Sequence, residues 1–182
     1  MSQFSPEGDK ATLADFLSIP TDVYPIGRLD FDSEGLLLLT NDRRVNHRLL
    51  HPSFAHERTY WVQVEGEPSS EAIHQLESGV TISVNGKTHA SETCQAVVFA
   101  EVPPVHPRHP PVRYRASIPT TWISLTMQEG KNRQVRKMTA AIGHPTLRLI
   151  RYRMEEITLS GLAPGEFREL DQRSFYQQLH LS

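Results

Sequence analysis

The chain has 182 residues, of which 38% are hydrophobic and 22% are charged, and its formal net charge is -2 at pH 7. This length can bury the core of one fairly large domain, or of two subdomains that share a sheet, and the composition is that of a soluble globular protein. The single cysteine excludes an internal disulfide, no apolar run is long enough to cross a bilayer, and the amino terminus lacks a signal-peptide pattern, so we expect a cytoplasmic protein.

The first predicted elements surround a charged loop. The segment Ala11–Leu17 has apolar residues at helical spacing and predicts a short helix, and residues 23–26 predict a brief extended segment. Residues 27–34 form the loop, and the four leucines Leu36–Leu39 predict a strand that is buried on both faces. The segment Arg43–Leu50 predicts a helix, which the following proline ends.

The middle of the chain alternates between strand and helix patterns. The run Arg58–Val64 is rich in β-forming residues and predicts a strand, and residues 69–76 predict a helix. The segment Val80–Val84 and the Asn85-Gly86 turn predict a hairpin that continues to Phe99. Six prolines between residues 101 and 119 exclude a helix or a central strand there, so we expect an extended insertion.

The last third of the chain repeats these patterns before a polar end. The segment Thr121–Met127 predicts a strand, Asn132–Ile142 a helix and Thr146–Tyr152 another strand. A final section begins at Ile157 and is expected to end in a polar tail. Because hairpins interrupt any β-α-β rhythm, the sequence predicts an α+β fold with a mixed, mostly antiparallel sheet flanked by helices.

A run of basic residues without any acid occupies the segment 131–153. A nearly neutral chain with such a concentration of positive charge is typical of a protein that binds a polyanion, although a solvated surface stripe fits equally well. The run contains Lys131, Arg133, Arg136, Lys137, Arg148, Arg151 and Arg153.

Three acids of the charged loop, Asp30, Asp32 and Glu34, share one side if the loop is extended. Two carboxylates suit the acid–base chemistry of a glycosidase. However, Asp32 and Ser33 fit the capping of a turn, and Glu34 fits a solvated position. We single out Asp30 because it lies nearest the apolar strand, where a charge is costly unless it is paired or used, and where an arginine would keep it ionised.

Two arginines and an aromatic pair are further candidates. Arg133 and Arg136 lie three residues apart on the predicted helix, so one of them can pair with Asp30 while the other contacts a phosphate. Tyr60 and Trp61 face opposite sides of their strand. One ring therefore belongs to the core, and the other can stack on a nucleobase or act as an acid or base.

The sequence does not predict a metal or a nucleotide cofactor. His47 and His51 have the spacing of a zinc-binding helix, but no further ligands complete a set. Neither of the common glycine-rich phosphate loops occurs in the chain.

Several long motifs occur in a fixed order along the chain, and together they resemble one enzyme family. They are Gly27–Asp30 with Ser33–Asp42, then Arg58–Tyr60, then Glu129–Met138. This pattern is similar to that of the pseudouridine synthases of ribosomal RNA, in the branch that carries an R-L-D motif and includes the small-subunit synthase A. The segments 107–113 and 117–122 further resemble the type E synthases of the large subunit.

The resemblance implies a role for each candidate residue. It implies that Asp30 is the catalytic aspartate, that Tyr60 stacks on the target base and helps to deprotonate it, and that Arg136 pairs with the aspartate. It also implies a single catalytic domain over residues 1–182 with a central RNA-binding cleft, and a missing amino-terminal strand. With this cleft, we expect phosphate contacts from Arg28, Lys131, Arg133, Lys137, Arg148 and Arg151.

The implied reaction converts a uridine of large-subunit ribosomal RNA to pseudouridine. The carboxylate of Asp30 either attacks the sugar or removes a ribose proton, and the sequence leaves both routes open. The target must leave its stack to reach the aspartate, so we expect base flipping. We expect a monomer that binds ribosomal RNA and uses no cofactor or membrane. The alternative is a non-catalytic ribosome-assembly factor, although such a binder would not need the Asp30 carboxylate.

Overall fold

The computed structural model describes residues 2–4, 8–9, 11–112 and 117–181. Residues 113–116 of the predicted insertion, including Arg113, therefore lie outside the described residues. The described part of the insertion contains neither helix nor strand between residues 101 and 112, as the prolines predict. Within the described ranges, no helix has the length and apolar character needed to cross a membrane.

Most of the predicted long strands and helices are confirmed. In chain order the strands are β1 (Tyr24–Pro25), β2 (Glu34–Gly35), β3 (Leu39–Thr40), β4 (Arg58–Glu65), β5 (Thr81–Val84), β6 (Lys87–Ala90), β7 (Gln95–Val98), β8 (Thr120–Met127), β9 (Thr146–Met154) and β10 (Ile157–Thr158). The α-helices are α1 (Arg43–Leu50), α2 (Ser70–Glu77), α3 (Gln134–Ala141) and α4 (Gln172–Gln178), and single 3-10 turns occur at Leu13–Asp15 and Pro52–Phe54.

The main sheet has the strand order β10-β9-β4-β8-β7, and β2 lies beside β9. Its pairings are antiparallel, except that β2 runs parallel to β9. Two smaller antiparallel sheets are formed by β1 with β3 and by β5 with β6. The predicted α+β fold with a mixed, mostly antiparallel sheet is thus confirmed.

Two groups of buried apolar side chains hold the structure together. The first lies between the main sheet and helices α2 and α3, and it includes Leu125. The second joins α1 to the carboxyl-terminal residues and includes Leu179. Strand β9 contributes Leu149 to the first group and Met154 to the second, so it belongs to both. The division of the domain into two subdomains stays a prediction.

The prediction of a doubly buried strand over Leu36–Leu39 is wrong. Leu36 and Leu38 are buried, whereas the other two leucines of the run, which alternate with them, are only half-buried. The Leu36 N–H donates to the Arg151 carbonyl in the main sheet, and the Ile26 N–H donates to the Leu38 carbonyl beside the small sheet. The chain passes from one sheet to the other here, so neither ladder continues through the leucine run.

The predicted hairpin ends earlier than expected. Strands β5 and β6 form it, but β7 pairs with β8 in the main sheet instead of continuing the hairpin. Between β6 and β7 the chain bonds back to the region of α2, where the Cys94 N–H donates to the Glu77 carbonyl and the Val80 N–H donates to Ser91 Oγ. These contacts turn the chain towards the main sheet.

Both ends of the chain also differ from their predictions. The expected polar tail contains α4, which begins after the cap Asp171, whose side chain accepts from the Ser174 N–H at 2.9 Å. Phe175 and Leu179, one helical turn apart, pack against the second apolar group. The predicted first helix is reduced to the 3-10 turn Leu13–Asp15.

Candidate active site

Glu34, the last residue of the predicted charged loop, belongs to β2, and the remaining part of the loop, residues 27–33, is fixed at both of its ends. At the start, Ser2 Oγ donates to the Leu29 carbonyl and accepts from the Leu29 N–H, at 3.2 and 3.1 Å. At the end, Gly35 lies so close to Arg151 that a Cβ atom would overlap the arginine backbone. Only glycine therefore allows β2 to pair with β9 here, and that pairing sets the direction in which the loop leaves the sheet.

A tight turn within the loop presents Asp30 to solvent. The Ser33 N–H donates to the Asp30 carbonyl at 2.9 Å and closes the turn. The Asp30 side chain is 36% exposed, so solvent reaches the carboxylate although it lies close to the apolar leucine run in the chain. Phe31, at the corner of the same turn, is 80% exposed.

The arginines of the α3 region reach this loop, but they bind Asp32. Arg133 donates through both terminal nitrogens to the Asp32 carboxylate at 2.8 and 2.9 Å, and approaches Asp30 only to 3.9 Å. Arg136 donates to the Asp32 carbonyl at 2.7 Å and lies 3.4 Å from Asp32 Oδ2. The turn-capping role of Asp32 is therefore wrong. The direct pair of Asp30 with Arg136 is not formed among the described residues, since Asp32 attracts both arginines.

These contacts shift the pKa values of the participating groups. Hydrogen bonds from Arg133 hold the pKa of Asp32 below its ordinary value. Burial lowers the pKa of Arg136, and the nearby Asp32 and Asp30 partly oppose this effect. Because the Asp32 pKa is lower in the folded than in the unfolded chain, its pairing stabilises the fold at neutral pH. That stabilisation is lost as the pH falls through the folded-state pKa.

Glu34 and Arg148 form an internal ion pair on β2 and β9. Arg148 donates to the Glu34 carboxylate through Nε and Nη2 at 2.9 and 2.8 Å, and to the His106 carbonyl at 2.8 Å. Its guanidinium carbon lies 5.9 Å from the ring centroid of Trp122, and Arg148 is only 7% exposed. The predictions of a solvated Glu34 and a phosphate-binding Arg148 are wrong, because the sheet buries the arginine and the acid compensates its charge.

Arg151 is also internal, so its predicted phosphate contact is wrong. It is 5% exposed, and its Nε donates to the Leu36 carbonyl at 2.8 Å. In the β4–β9 ladder it lies opposite Tyr60. Burial lowers the pKa of Arg151, and its interaction with Tyr60 opposes that shift. Arg151 thus links the strand that carries the tyrosine to the residues that follow the loop.

Tyr60 and Trp61 lie on opposite faces of β4, as predicted. Tyr60 packs against the first apolar group, to which Val62, two residues along, also belongs. Trp61 stacks on Tyr152 with ring centroids 3.8 Å apart and an angle of 12°. Tyr60 is therefore the aromatic residue that shares a face with Arg151, and it is only half-buried.

Four of the predicted phosphate-binding residues remain at the surface. Lys131 and Arg133 precede α3 and are exposed, Lys137 within the helix is half-buried, and Arg28 is exposed on the loop. The basic run therefore divides into a solvent-facing part near α3 and an internal part on β9. The phosphate contacts of the solvent-facing residues stay a prediction.

A buried acid that sequence analysis did not single out holds the start of α3. Glu129 contacts His89 Nε2 at 2.6 Å, accepts from the Glu92 N–H at 3.3 Å and accepts from the Gln134 side chain. Arg133 then enters the helix with a φ of +51°, in the left-handed region. The only sequence signal for this network was an acid at a strand–helix junction. The network fixes the direction in which the arginines leave the start of α3.

The described residues do not contain a group of three or more histidine, cysteine, aspartate or glutamate side chains that could hold a metal. The rings of His47 and His51 lie 5.3 Å apart, and His51 Nδ1 is 2.7 Å from Ser53 Oγ. The candidate residues are therefore an accessible carboxylate beside arginines and a half-buried tyrosine, which is connected to the end of the loop through Arg151. Such a set suits acid–base or nucleophilic chemistry on a polyanion.

Comparison with known proteins identifies chains of similar sequence and fold. Residues 4–141 match the family model described as RNA pseudouridylate synthase. The chain is 47% identical, over 93% of its length and 69% of the relative, to the "Ribosomal large subunit pseudouridine synthase E" of Vibrio parahaemolyticus. It is 48% identical, over 90% of its length and 85% of the relative, to the protein of the same name from Xanthomonas axonopodis. A crystal structure of a pseudouridylate synthase matches 94% of this chain and 66% of that one, with a TM-score of 0.75 and 25% identity.

Proposed function

The chain belongs to the RNA pseudouridylate synthase family, and we propose that it converts a specific uridine of large-subunit ribosomal RNA to pseudouridine. The large subunit is the substrate named for its relatives of about half-identical sequence. The observation that carries the assignment of the site is the loop that presents Asp30 within 3.9 Å of Arg133. An accessible carboxylate among arginines is what a reaction on a polyanion requires.

In the proposed reaction Asp30 acts on the ribose of the target uridine, by attack on the sugar or by removal of a ribose proton. The bond from the sugar to uracil N1 breaks, the base turns, and a new bond forms between the same sugar carbon and C5. The C5 hydrogen leaves as a proton, and N1 gains one, so the product is an isomer of the substrate. No oxidant, reductant or outside nucleophile takes part.

Arginines support this reaction in two ways. Arg136 is assigned to the catalytic set because it fixes the Asp32 backbone and its charge acts on Asp30. Arg133, Arg28, Lys131 and Lys137 are proposed to contact phosphates. A purely RNA-binding assembly factor would use these cations but would gain nothing from the carboxylate, so the pseudouridine assay below separates the two functions.

We expect the RNA affinity to fall steeply with salt, by roughly 0.7 log unit per log unit of salt for each phosphate contact to a single strand. The double variant Lys131→Gln/Lys137→Gln should therefore flatten the slope by roughly 1.4, measured by filter binding at several salt concentrations. Arg173→Gln, which removes an exposed charge from α4, is the control and should leave the slope unchanged. Equal slopes in all three proteins would show that the two lysines do not contact RNA phosphates.

We expect Tyr60→Phe to lower turnover by roughly a hundredfold, because a missing hydroxyl removes one acid–base group. The ring keeps its packing, so the loss of the contact to Arg151 should cost only about 1 kcal/mol of stability. Tritium release from RNA labelled at uridine C5 gives the turnover, and thermal unfolding gives the stability.

The matched control is Tyr152→Phe, since Tyr152 stacks on Trp61 on the other face of the sheet. It should turn over normally. A collapsed unfolding midpoint with normal turnover per folded molecule in Tyr60→Phe would make this tyrosine a core residue only.

We propose further that the chain forms one catalytic domain that works as a monomer in the cytoplasm without a nucleotide cofactor. Ribosomal RNA is made and assembled in that compartment in bacteria, the source of the relatives named above. The proposed partner is RNA alone.

A further inference from the structure

An open groove lies between helix α3 and the hairpin that β5 and β6 form, with a volume of about 660 Å³. Its walls include Thr81, Ser83 and Asn85 from the hairpin and Lys137, Ala140 and Ala141 from the helix. Apart from Lys137, which is half-buried, these six residues are exposed, so the groove opens to solvent. Only Lys137 among them belongs to the phosphate contacts proposed above.

The two walls of the groove are fixed to each other. At the start of α3, His89 on β6 contacts the buried Glu129 at 2.6 Å, and Glu129 also accepts from the Gln134 side chain in the first turn of the helix. Further along, α3 packs against β5, and Ile82 and Met138 belong to the same apolar group. A groove whose walls are already fixed loses little conformational freedom when a ligand enters, so its contact energy is available for binding.

The charge of both walls favours an anionic ligand. The hairpin segment 78–91 contains one lysine, Lys87, and the segment 130–141, which includes α3, contains four lysines and arginines. Neither segment contains an aspartate or a glutamate. The exposed Thr81 and Ser83 add hydroxyl groups, which bond to phosphate and sugar oxygens in many nucleic-acid complexes. A polyanion with such oxygens therefore matches the groove.

One end of the groove lies beside the residues that hold the Asp30 loop. The Lys137 ammonium donates to the Asn132 carbonyl at 2.8 Å, next to Arg133 in the chain. Arg133 in turn binds Asp32 and lies 3.9 Å from Asp30. Helix α3 has eight residues and is about 12 Å long, so the groove leads away from the Asp30 loop along the helix.

We propose that this groove binds the RNA strand next to the target uridine, through its phosphates and ribose hydroxyls. The inference rests on the proposed function, because it extends the interface of the same site to the flanking nucleotides. A target within ribosomal RNA has nucleotides on both sides, and the strand that passes Arg133 enters the basic groove directly. An acidic protein segment would match the charge as well, but only the RNA substrate has to pass the Asp30 loop. Contacts of this kind fix the position of the strand and do not read its sequence.

The test introduces a negative charge into the groove with Ala141→Glu, one helical turn from Lys137. Two RNA fragments that the unsubstituted protein modifies are compared, one that extends well beyond the target on both sides and one that ends close to it. Repulsion of the flanking phosphates should lower kcat/KM by roughly tenfold on the long fragment and leave it unchanged on the short one. The matched control is Gln177→Glu, at an exposed position near the end of α4, which should match the unsubstituted protein on both fragments.

A second readout locates the RNA without turnover. In the Asp30→Asn background, a photoreactive group attached to the new thiol of Ser83→Cys should cross-link to nucleotides beside the target. The natural Cys94 thiol is half-buried, and burial raises its pKa to about 11, so the reagent should label residue 83 selectively. The control is Ser70→Cys, at the exposed start of α2, which should not cross-link to those nucleotides.

The outcomes separate this inference from the proposed function. Equal kcat/KM on the long fragment with and without Ala141→Glu, and no cross-link from residue 83, would overturn the inference and leave the proposed function intact. An equal loss on both fragments would also overturn it, because the substitution would then act on the Asp30 site or on the fold. Unchanged RNA readouts with weaker binding to an assembled ribosomal particle would overturn it in favour of a protein partner. If the unsubstituted protein modifies no ribosomal RNA, the proposed function itself fails.

Discussion

Asp30→Asn is expected to abolish pseudouridine formation, with a loss on the order of 10³-fold or more, while RNA binding stays close to normal. Asparagine keeps the shape of the side chain but can neither attack a sugar carbon nor accept a proton. The fold should tolerate the change, because the carboxylate is 36% exposed and its ion pair to Arg133 is long, at 3.9 Å. Tritium release and chemical labelling of pseudouridine in ribosomal RNA fragments provide the assay.

The control for this variant is Asp22→Asn. Asp22 is an exposed acid that accepts a hydrogen bond from Asn41 at 3.1 Å, and asparagine can still accept that bond. The control should retain full activity. Asp32→Asn is expected to be impaired but active, since it weakens the hold on Arg133 and Arg136. Full activity in Asp30→Asn, or complete loss in a folded Asp32→Asn protein, would move the catalytic role to Asp32.

The largest effect on stability is expected from Glu34→Gln. This change leaves the buried Arg148 without its anionic partner, which costs about 3 kcal/mol. For a chain of this length the thermal midpoint should fall by roughly 10 °C. Denaturant and thermal unfolding measure the two quantities. The loop that carries Asp30 should be affected as well, because Glu34 begins the strand into which the loop runs.

A second ion pair on the same sheet tests this explanation. Arg153 lies 3.1 Å from Glu57, and both side chains are about one-third exposed. Glu57→Gln removes a carboxylate from an ion pair that solvent reaches, so it should lower the free energy of unfolding by less than about 1 kcal/mol. The double variant Glu34→Gln/Arg148→Met should be more stable than Glu34→Gln, because it leaves no buried charge unpaired. Equal losses in Glu34→Gln and Glu57→Gln would show that burial of Arg148 does not matter.

Local patterns in the sequence predict much of the fold correctly. The alternation of Arg58–Val64 and the proline that ends Arg43–Leu50 each depend on near neighbours in the chain, and both elements form as expected. The leucine run was misread for the opposite reason. Its conformation is decided by two ladders with distant partners, Arg151 and Ile26, and no periodicity in the run itself reports them.

In the candidate site, too, local sequence patterns predict some features, whereas contacts between distant residues decide the others. Sequence reasoning selected a loop and a pair of arginines that the structure brings together, because their charges are conspicuous beside apolar residues. It did not determine which acid each arginine binds. Arg133 binds Asp32 because its own left-handed backbone conformation and the buried Glu129 network fix the direction of its side chain. Neither feature produces a periodic pattern in the sequence. Burial of Arg148 and Arg151 likewise depends on the pairing of β9, not on their own neighbours in the chain.

The parallel pairing of β2 with β9 joins Gly35 to Arg151, which are more than a hundred residues apart in the chain. Contacts of such long sequence separation form late, because a large loop must close before they contribute any stability. Distant partners of the loop that carries Asp30 lie between residues 133 and 151, so this loop cannot reach its final conformation in a nascent chain that stops short of Arg151. The proposed active site therefore depends on a strand that is synthesised more than a hundred residues after the loop itself.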